Sequence, residues 1–463
     1  MKFLFYDLIF LVAFCIFLFF FLRARKQKIK REGILFLYKT KFGIKFIERT
    51  AKKLKKILSF VGWISIFFGF LMMIAIFYLL FKTIFLTIKV PMNVPPLLPL
   101  VPYVPQAFKL PLPPFYFFYW IVIIAIVAIT HEFSHGIFAS HNKVRIKATG
   151  FGFLGPFLAA FVEPDEKKLV RKKKKAQLEV FSAGSFSNLI FAILFILLLQ
   201  LFFVLAYKPA GLAFDFVYSP VNISEIKTIG DYTPEKFFNL SNKELAAINK
   251  TIKVETKDKT YYLDKKLIEE IANSRKAIKK YNVIIAYEDA PAINAGLEGG
   301  LLKIDEYEIK SIEDVSKALE KYNPGDKVKI VTSKSEYLVT LAKNPKNETK
   351  AYLGIAFPQI KGTNKLFASL TAPFFDPQIH VEAKINEQAA IFFRDLLVWL
   401  VLICFFVALF NMLPLAFLDG GRMFFVLALA ITKSKKKAKS ALAIASYIVL
   451  FILLTMMLIW LAG

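Results

Sequence analysis

The sequence predicts a polytopic α-helical membrane protein with about six transmembrane helices, a re-entrant β-hairpin and an inserted α+β soluble domain. The first observation is composition: of 463 residues, 56% are hydrophobic and 16% aromatic, with 51 Phe, well above the usage of soluble domains. The second is a series of apolar runs long enough to cross a bilayer, which takes about 20 residues. The third is a charged stretch, residues 207–385, that interrupts these runs.

The positive charge follows the pattern of a membrane protein. The net charge is +27, but Lys and Arg cluster between apolar runs, which indicates cytoplasmic loops and argues against nucleic-acid binding. The first run precedes "RARKQKIKR" and has no small-residue cleavage site, so we interpret it as a signal anchor with its N-terminus outside. If each later span crosses the membrane in the direction opposite to the one before it, the strongly basic blocks lie in the cytoplasm and residues 207–385 lie outside. Cys15 and Cys404 lie in apolar runs and predict no disulfide.

The same alternation divides the chain into five regions. Residues 1–114 hold two transmembrane helices, a basic cytoplasmic segment and a Pro-rich external loop. Residues 115–206 hold the third span, the hairpin and a fourth span from about Val180 to Leu205. Residues 207–280 form an external domain whose fold we do not assign, and residues 281–385 form a second soluble domain with a linker. Residues 386–463 hold the fifth span and a last helix.

The stretch "IAIVAITHEFSHGIFAS", residues 124–140, puts three ionisable groups in the third span. Helix positions four apart share a face, so His131 and His135 can bind one metal ion. Glu132 is turned away from ligation, where a carboxylate can take a proton from water at the metal. His131 lies about 24 Å along the span, which predicts a site near its cytoplasmic side. The alternative is a pair of histidines that bond only to neighbouring helices, although ionisable groups in lipid usually indicate function.

A catalytic zinc site needs a third protein ligand and keeps an open position for water. His141 completes the spacing HExxHxxxxxH, but that pattern requires a glycine where Phe138 stands, so we interpret His141 as an interfacial residue at the helix end. Asp419 in "NMLPLAFLDGG" is the better candidate, because Pro414 interrupts the helix and the two glycines after Asp419 permit close backbone approach. The alternative for this segment is a plain cytoplasmic turn.

HEFSHG and NMLPLAFLDGG, in this order, resemble the motifs of the site-2 protease family of intramembrane zinc metalloproteases. "FSAGSFSNLIFAIL", residues 181–194, is similar to the family's GxxxN segment, and "GFGFLGPFLAAFVEPDE" to its re-entrant β-loop. The resemblance covers the membrane core, about residues 115–205 and 390–461. It leaves the first two spans without a function.

The resemblance also implies roles for individual residues. One Zn²⁺ would be held by His131, His135 and Asp419, with Glu132 as the general base. Two asparagines would position the substrate strand or polarise the scissile carbonyl, namely Asn188 and Asn411. Met412 departs from the proline that many members carry directly after the asparagine, whereas Pro414 stands two positions further on, as in other members.

Within the soluble region, residues 281–344 resemble a PDZ domain of the bacterial type. Their opening, "YNVIIAYEDAPAINAGL", is similar to the strand, turn and helix of that domain. "YLGIAF", residues 352–357, is similar to the strand and loop that receive a peptide by β-augmentation. This implies peptide binding at Leu353, Gly354 and Ile355. The alternative is a generic α+β insert without a ligand.

Two classes of function follow from these patterns. The first is a zinc metalloendopeptidase that cuts transmembrane segments near the cytoplasmic face, after another protease has removed an external domain. The second is a non-proteolytic membrane protein that binds or transports metal and carries a PDZ-like peptide-binding module. We expect transmembrane-helix substrates and the lipid bilayer as partners and no nucleic acid. The richness in Lys, Ile and Phe favours a prokaryotic source, archaea included. We therefore expect the protein in the cell membrane, and the span count places the PDZ-like domain outside.

Overall fold

The computed structural model describes residues 2–25, 29–32, 35–89, 99–108, 110, 112–154, 157–275, 278, 281–357 and 378–462. Part of the predicted Pro-rich loop, residues 90–98, and most of the predicted linker, residues 358–377, lie outside this range. The chain forms two compact units. The first comprises Met1–Leu199 and Phe392–Gly463, and the second comprises Gln200–Ile391.

The elements follow one another in this order. The helices are α1 (Lys2–Ala24), α2 (Ile44–Lys53), α3 (Lys55–Lys89), α4 (Val104–Ala107), α5 (Phe117–His141), α6 (Glu166–Leu169), α7 (Lys174–Ala206), α8 (Pro234–Asn239), α9 (Asn242–Ala247), α10 (Lys265–Asn273), α11 (Pro291–Asn294), α12 (Ile312–Leu319), α13 (Glu387–Phe410), α14 (Asp419–Thr432) and α15 (Lys435–Ala462). The strands are β1 (Ile29–Glu32), β2 (Leu35–Thr40), β3 (Ile146–Leu154), β4 (Phe157–Pro164), β5 (Tyr207–Leu212), β6 (Asp215–Phe216), β7 (Tyr218–Asn222), β8 (Ile226–Ile229), β9 (Ile252–Thr256), β10 (Thr260–Leu263), β11 (Val283–Glu288), β12 (Leu301–Ile304), β13 (Tyr307–Glu308), β14 (Lys327–Thr332), β15 (Glu336–Thr340), β16 (Ala342–Asn344), β17 (Asn347–Tyr352), β18 (Ile355–Ala356) and β19 (Ile379–Ala383).

Six helices among the described residues are long and apolar enough to cross a membrane, which agrees with the predicted number. They are α1, α3, α5, α7, α13 and α15. Two of them begin in basic blocks ahead of their apolar runs: α7 starts at Lys174 and α15 at Lys435. Lys and Ala favour helix, so these blocks extend the helices outward from the apolar run. The short helix α14, which we did not predict, begins at Asp419.

The predicted hairpin is present as β3 and β4, paired from Ile146 with Pro164 to Leu154 with Phe157. We did not predict that the basic segment between α1 and α3 would add two more strands. Strand β2 pairs with β3, from Phe36 opposite Phe153 onwards, and β1 pairs with β2. The result is a four-stranded sheet in the order β1-β2-β3-β4. One edge of the predicted hairpin is therefore covered, and β4 forms the opposite edge of the sheet.

Helix α1 is joined to the start of α5 by a buried carboxylate. Asp7, which is 3% exposed, accepts hydrogen bonds from the backbone N–H groups of Phe117 at 2.8 Å and Phe118 at 2.9 Å. The first N–H groups of a helix have no partner inside it, and Tyr116 at the N-cap offers no side-chain bond. Tyr103 donates its hydroxyl proton to Asp7 at 2.6 Å; burial and this carboxylate raise the pKa of Tyr103, which keeps the donor protonated. Asp7 thus supplies the missing cap from another helix.

The second unit contains two main antiparallel sheets. The five-stranded sheet has the order β7-β11-β10-β9-β8, and the other has the order β15-β14-β12-β5-β19, with β13 paired to β12. Strand β11, which the PDZ-like pattern assigns to a separate domain starting at residue 281, pairs with β7 and β10. Its Ile284 and Ala286 are buried in the core of the five-stranded sheet. Strand β5 in turn pairs with β12 and β19, so residues 207–280 and 281–385 contribute to both sheets.

The two sheets of this unit contain the same local arrangement. Strands β8, β9 and β10 pair in sequence, as do β12, β14 and β15. In both, the first strand is followed by a residue with positive φ, Gly230 or Asp305. A hydroxyl N-cap then starts the helix, Thr233 for α8 and Ser311 for α12. The unassigned region 207–280 therefore repeats the strand-turn-helix-hairpin pattern of the region that resembles a PDZ domain.

The predicted peptide-binding loop is built into this unit. Leu353 is 1% exposed in the core, and its carbonyl accepts from Ala292 N–H at 2.9 Å. The carbonyl of Gly354 accepts from Val217 N–H at 3.2 Å, and Ile355 pairs with Phe216. One side of the loop is thus bonded to the protein's own strand. Peptide binding at these three residues stays a prediction.

The cap by Asp7 predicts a measurable loss of stability. Asp7→Ala would leave the buried N–H of Phe117, the partly buried N–H of Phe118 and the Tyr103 hydroxyl without this acceptor, so we expect the free energy of unfolding to fall by about 3 kcal/mol. The thermal midpoint of the purified protein in detergent measures this change. Cys15→Ala, at an exposed position of the same helix, is the control. Equal midpoints for the two variants would contradict the capping role.

Candidate active site

The two histidines of the HEFSH motif face one another inside the first unit. His131 is 8% and His135 9% exposed, and their Nε2 atoms are 3.1 Å apart. Asp419 meets both: its Oδ2 lies 3.2 Å from Nε2 of His131 and 3.1 Å from Nε2 of His135. Among the described residues, these three form the group whose ligand atoms all lie within 4.8 Å of one another. The structure therefore brings together the three residues that the resemblance implied as ligands.

Asp419 reaches the histidines because the chain turns sharply after α13. Helix α13 ends at Phe410, and α14 starts at Asp419 itself. The N–H of Gly420 donates to the carbonyl of Asn411 at 2.8 Å, which closes the loop. A Cβ at Gly420 would lie 2.2 Å from the carbonyl oxygen of Met412. Glycine is required for this approach, as we expected from the LDGG sequence.

The surroundings of the histidines suit a metal ion. Nδ1 of His135 donates to the carbonyl of Val180 at 2.6 Å, and Nδ1 of His131 lies 3.2 Å from the side-chain amide of Asn188. Bonding at Nδ1 leaves Nε2 as the ligand atom, as is usual for metal-binding histidines. Gly184 leaves room beside the pair, because a Cβ there would lie 2.3 Å from Nε2 of His135. Two imidazoles and a carboxylate form a three-residue set of the type that holds catalytic zinc with an open position.

Glu132 faces away from these ligands and towards the sheet. Its Oε2 accepts the backbone N–H of Val162 in β4 at 2.9 Å. Backbone groups alternate in direction along a strand, so the N–H and C=O groups of Leu158 and Ala160 point to the same outer edge of β4 as those of Val162, an edge that pairs with no other strand among the described residues. We did not predict this contact from the sequence. It places the carboxylate of the residue after His131 at the outer edge of β4.

The two predicted asparagines occupy different positions. Nδ2 of Asn411 lies 3.5 Å from Nε2 of His131, on the metal-facing side of the ring. Asn188 lies on the opposite side of that ring, is 0% exposed and also accepts from the Thr130 hydroxyl at 3.4 Å. His141 does not join the group: α5 ends there, and its Nε2 lies 3.4 Å from the Ser59 hydroxyl.

This geometry agrees with a comparison against families of known proteins. Residues 119–456 match the model of peptidase family M50. The chain belongs to this family. A comparison with curated proteins finds no match.

Membership of M50 confirms the resemblance to the site-2 protease family and makes the chain a metallopeptidase of that type. Together with the six apolar helices, it identifies an integral membrane protein. Members of the family are zinc metalloproteases, which suits the ligand set described above. The match begins within α5, so the four helices α1 to α4 precede the region shared with the family model.

The close approach of Gly184 to the two imidazoles predicts that a larger residue at this position prevents zinc binding. Gly184→Ala would bring a methyl group into contact with both imidazoles, which are held by α5 and cannot retreat, so we expect zinc binding to be lost. Zinc content after purification, measured by atomic emission, tests this. Gly69→Ala in α3 is the control, because the nearest atom to its Cβ would be the flexible end of Met423. Full zinc occupancy in Gly184→Ala would contradict the assigned site.

Proposed function

We propose that this M50 peptidase is an intramembrane zinc endopeptidase that hydrolyses peptide bonds of transmembrane segments near the cytoplasmic face, in regulated intramembrane proteolysis. The observation that carries the proposal is the group of His131, His135 and Asp419 inside a bundle of apolar helices, with Glu132 directly after His131 on the same helix. A structural zinc site would be closed by a fourth protein ligand. Within the described residues the group has three ligands and an adjacent base, the arrangement of a hydrolase.

The residues around the group can carry out peptide hydrolysis. When bound, one zinc ion would supply a Lewis acid that polarises a carbonyl and makes water more acidic. Glu132 takes a proton from the attacking water as the new C–O bond forms, and returns it to the amine nitrogen as the C–N bond breaks. Asn411, whose amide lies on the metal-facing side of His131, can donate to the carbonyl oxygen as negative charge develops there.

The outer edge of β4, which pairs with no other strand in the described part of the chain, gives the substrate a place to bind. A peptide bond inside an intact helix has its carbonyl occupied by hydrogen bonding, so a transmembrane substrate must unwind before it can be cut. An extended segment can then pair with the outward-facing groups of Leu158 and Ala160, as in β-augmentation. Since Val162 of the same edge binds Glu132, a paired substrate would lie alongside the base.

The basic blocks support a cytoplasmic position for this end of the bundle. Lys174, at the start of α7, donates to the carbonyl of Leu429 near the end of α14 at 3.3 Å. The blocks at residues 171–175 and 433–439 therefore lie close together. By the positive-inside rule both blocks would lie in the cytoplasm. On that basis we propose that the soluble unit lies outside and that the protein belongs to the cell membrane of a prokaryote. There its PDZ-like part would select substrates that another protease has already shortened.

The alternative, a non-proteolytic protein that binds or transports metal, differs in its need for Glu132. A transporter requires the ligands but no base. Glu132→Gln keeps the side-chain shape and leaves the three ligands in place, so we expect zinc content to be unchanged and cleavage to fall by at least about 10²-fold. Cleavage of a helical membrane reporter in detergent, with zinc measured in the same samples, provides the test.

The control for this variant is Glu163→Gln. It changes a carboxylate of β4 that forms an ion pair with Lys39 at 2.8 Å. We expect its cleavage rate to stay close to that of the wild type. Normal cleavage by Glu132→Gln with full zinc would rule out the assigned base. Absence of cleavage by a zinc-loaded wild type, with every membrane reporter tried, would favour the alternative.

The edge of β4 predicts a second functional variant. Ala160→Pro would remove an N–H that points to the free edge, so we expect the KM for a transmembrane reporter to rise about tenfold while zinc content is unchanged. Ala160→Ser retains the N–H and serves as the control. Equal KM values for the two variants would show that the substrate does not pair with this edge.

A further inference from the structure

Asn188 lies on α7 one turn beyond Gly184, at the far side of the His131 ring from the metal-binding group. Its side-chain amide is 3.2 Å from Nδ1 of His131. Its other end lies 3.4 Å from the hydroxyl of Thr130. The residue is 0% exposed. A side chain enclosed in this way, with a protein partner at each end, has no surface left for a substrate.

The chemistry of the ring decides what the amide must do. Nε2 of His131 faces Asp419 at 3.2 Å, so a cation in the group would take the Nε2 lone pair. The ring proton then sits on Nδ1 and needs an acceptor. The Oδ1 atom of Asn188 can supply it, since a half-turn about the terminal bond exchanges the amide oxygen and nitrogen with little change in shape.

The same orientation satisfies the other end of the amide. The Thr130 hydroxyl donates to the carbonyl of Ile126 at 2.9 Å, so its oxygen is free to accept from Nδ2 of Asn188. The carbonyl of Thr130 is held by the hydroxyls of Ser134 at 2.8 Å and Ser187 at 3.1 Å. Asn188 is therefore the middle of a hydrogen-bonded chain that runs from the carbonyl of Ile126 through the Thr130 hydroxyl and the Asn188 amide to Nδ1 of His131.

We propose that Asn188 is a positioning residue, which fixes the tautomer and ring orientation of His131 for metal binding and does not contact the substrate. This differs from the role that the resemblance implied, in which Asn188 positions the substrate or polarises its carbonyl. The inference rests on the proposed function, because it takes zinc as the ion held by His131. Asn411, on the metal-facing side of the same ring, keeps the substrate role.

Zinc affinity separates the two roles, since a substrate-binding residue has no reason to change it. The full-length protein in detergent is titrated with zinc against a chromogenic chelator, and kcat and KM for the reporter are measured at saturating zinc. Asn188→Leu, of similar size but without an acceptor, should bind zinc about 10- to 100-fold more weakly, with cleavage restored by added zinc. Asn188→Asp provides a stronger acceptor and should bind zinc at least as tightly as the wild type.

Asn411→Leu is the matched comparison, because it alters the asparagine on the other side of the same ring. We expect its zinc affinity to equal that of the wild type and its kcat to be low at any zinc concentration. Thr130→Val removes the hydroxyl that contacts Asn188 and should weaken zinc binding by a few-fold. This variant tests the same role if Asn188→Leu does not fold.

Two results would overturn the inference. One is wild-type zinc affinity in Asn188→Leu with a kcat that added zinc does not restore, which would return Asn188 to a substrate role. The other is weak zinc binding in Asn188→Asp of normal thermal stability, which would exclude the acceptor role. A wild type that binds zinc but cleaves no reporter would contradict the proposed function alone, and the affinities would still decide the role of Asn188.

Discussion

The burial of two imidazoles and a carboxylate among apolar helices is the constraint on which the rest of the first unit depends. Each of these groups is costly in a medium without water unless its donors and acceptors have partners. His131 and His135 use Nδ1 for bonds to α7, and their Nε2 atoms meet Asp419 of α14. Helices α5, α7 and α14 must therefore keep their relative positions closely, because a displacement would leave polar groups without partners.

Several features away from the site meet this requirement. Asp7 holds the N-terminus of α5 against α1, and Gly184 lets α7 approach the imidazoles more closely than a side chain would permit. Ile47 of α2, which is fully buried, and Val162 of β4 both pack against Gly136 of α5, where a Cβ would lie 3.0 and 3.1 Å from their side chains. The helices and strands that precede the region shared with the family model thus support the helix that carries the histidines.

The sequence was informative where chemistry is local. The spacing of His131 and His135 on one helix face and the glycines after Asp419 are readable within a few residues, and the apolar runs predicted the six long helices. Contacts between distant segments could not be read in this way. Asp7 and Phe117 are 110 positions apart, and nothing near either residue indicates the other.

The same limit applies to the soluble unit and to Asn188. Strand β11 follows a charged segment and precedes a PDZ-like turn, so its sequence suggested the start of a domain, whereas its buried face belongs to the sheet of the preceding residues. A motif can imply that Asn188 belongs to the site. Which side of the His131 ring it occupies depends on how α7 packs against α5, and this decides between a ligand-supporting and a substrate-binding role.

The hairpin β1-β2 has a consequence for the association of whole molecules. An uncovered β3 edge would offer unpaired backbone groups to any neighbouring chain. The added hairpin moves that edge to β1, where Lys30 and Arg31 are exposed, and charged residues on an edge strand discourage pairing between copies. The sheet is thereby protected against edge-to-edge aggregation on one side. On the other side lies the edge of β4 next to Glu132, where we propose that the substrate pairs.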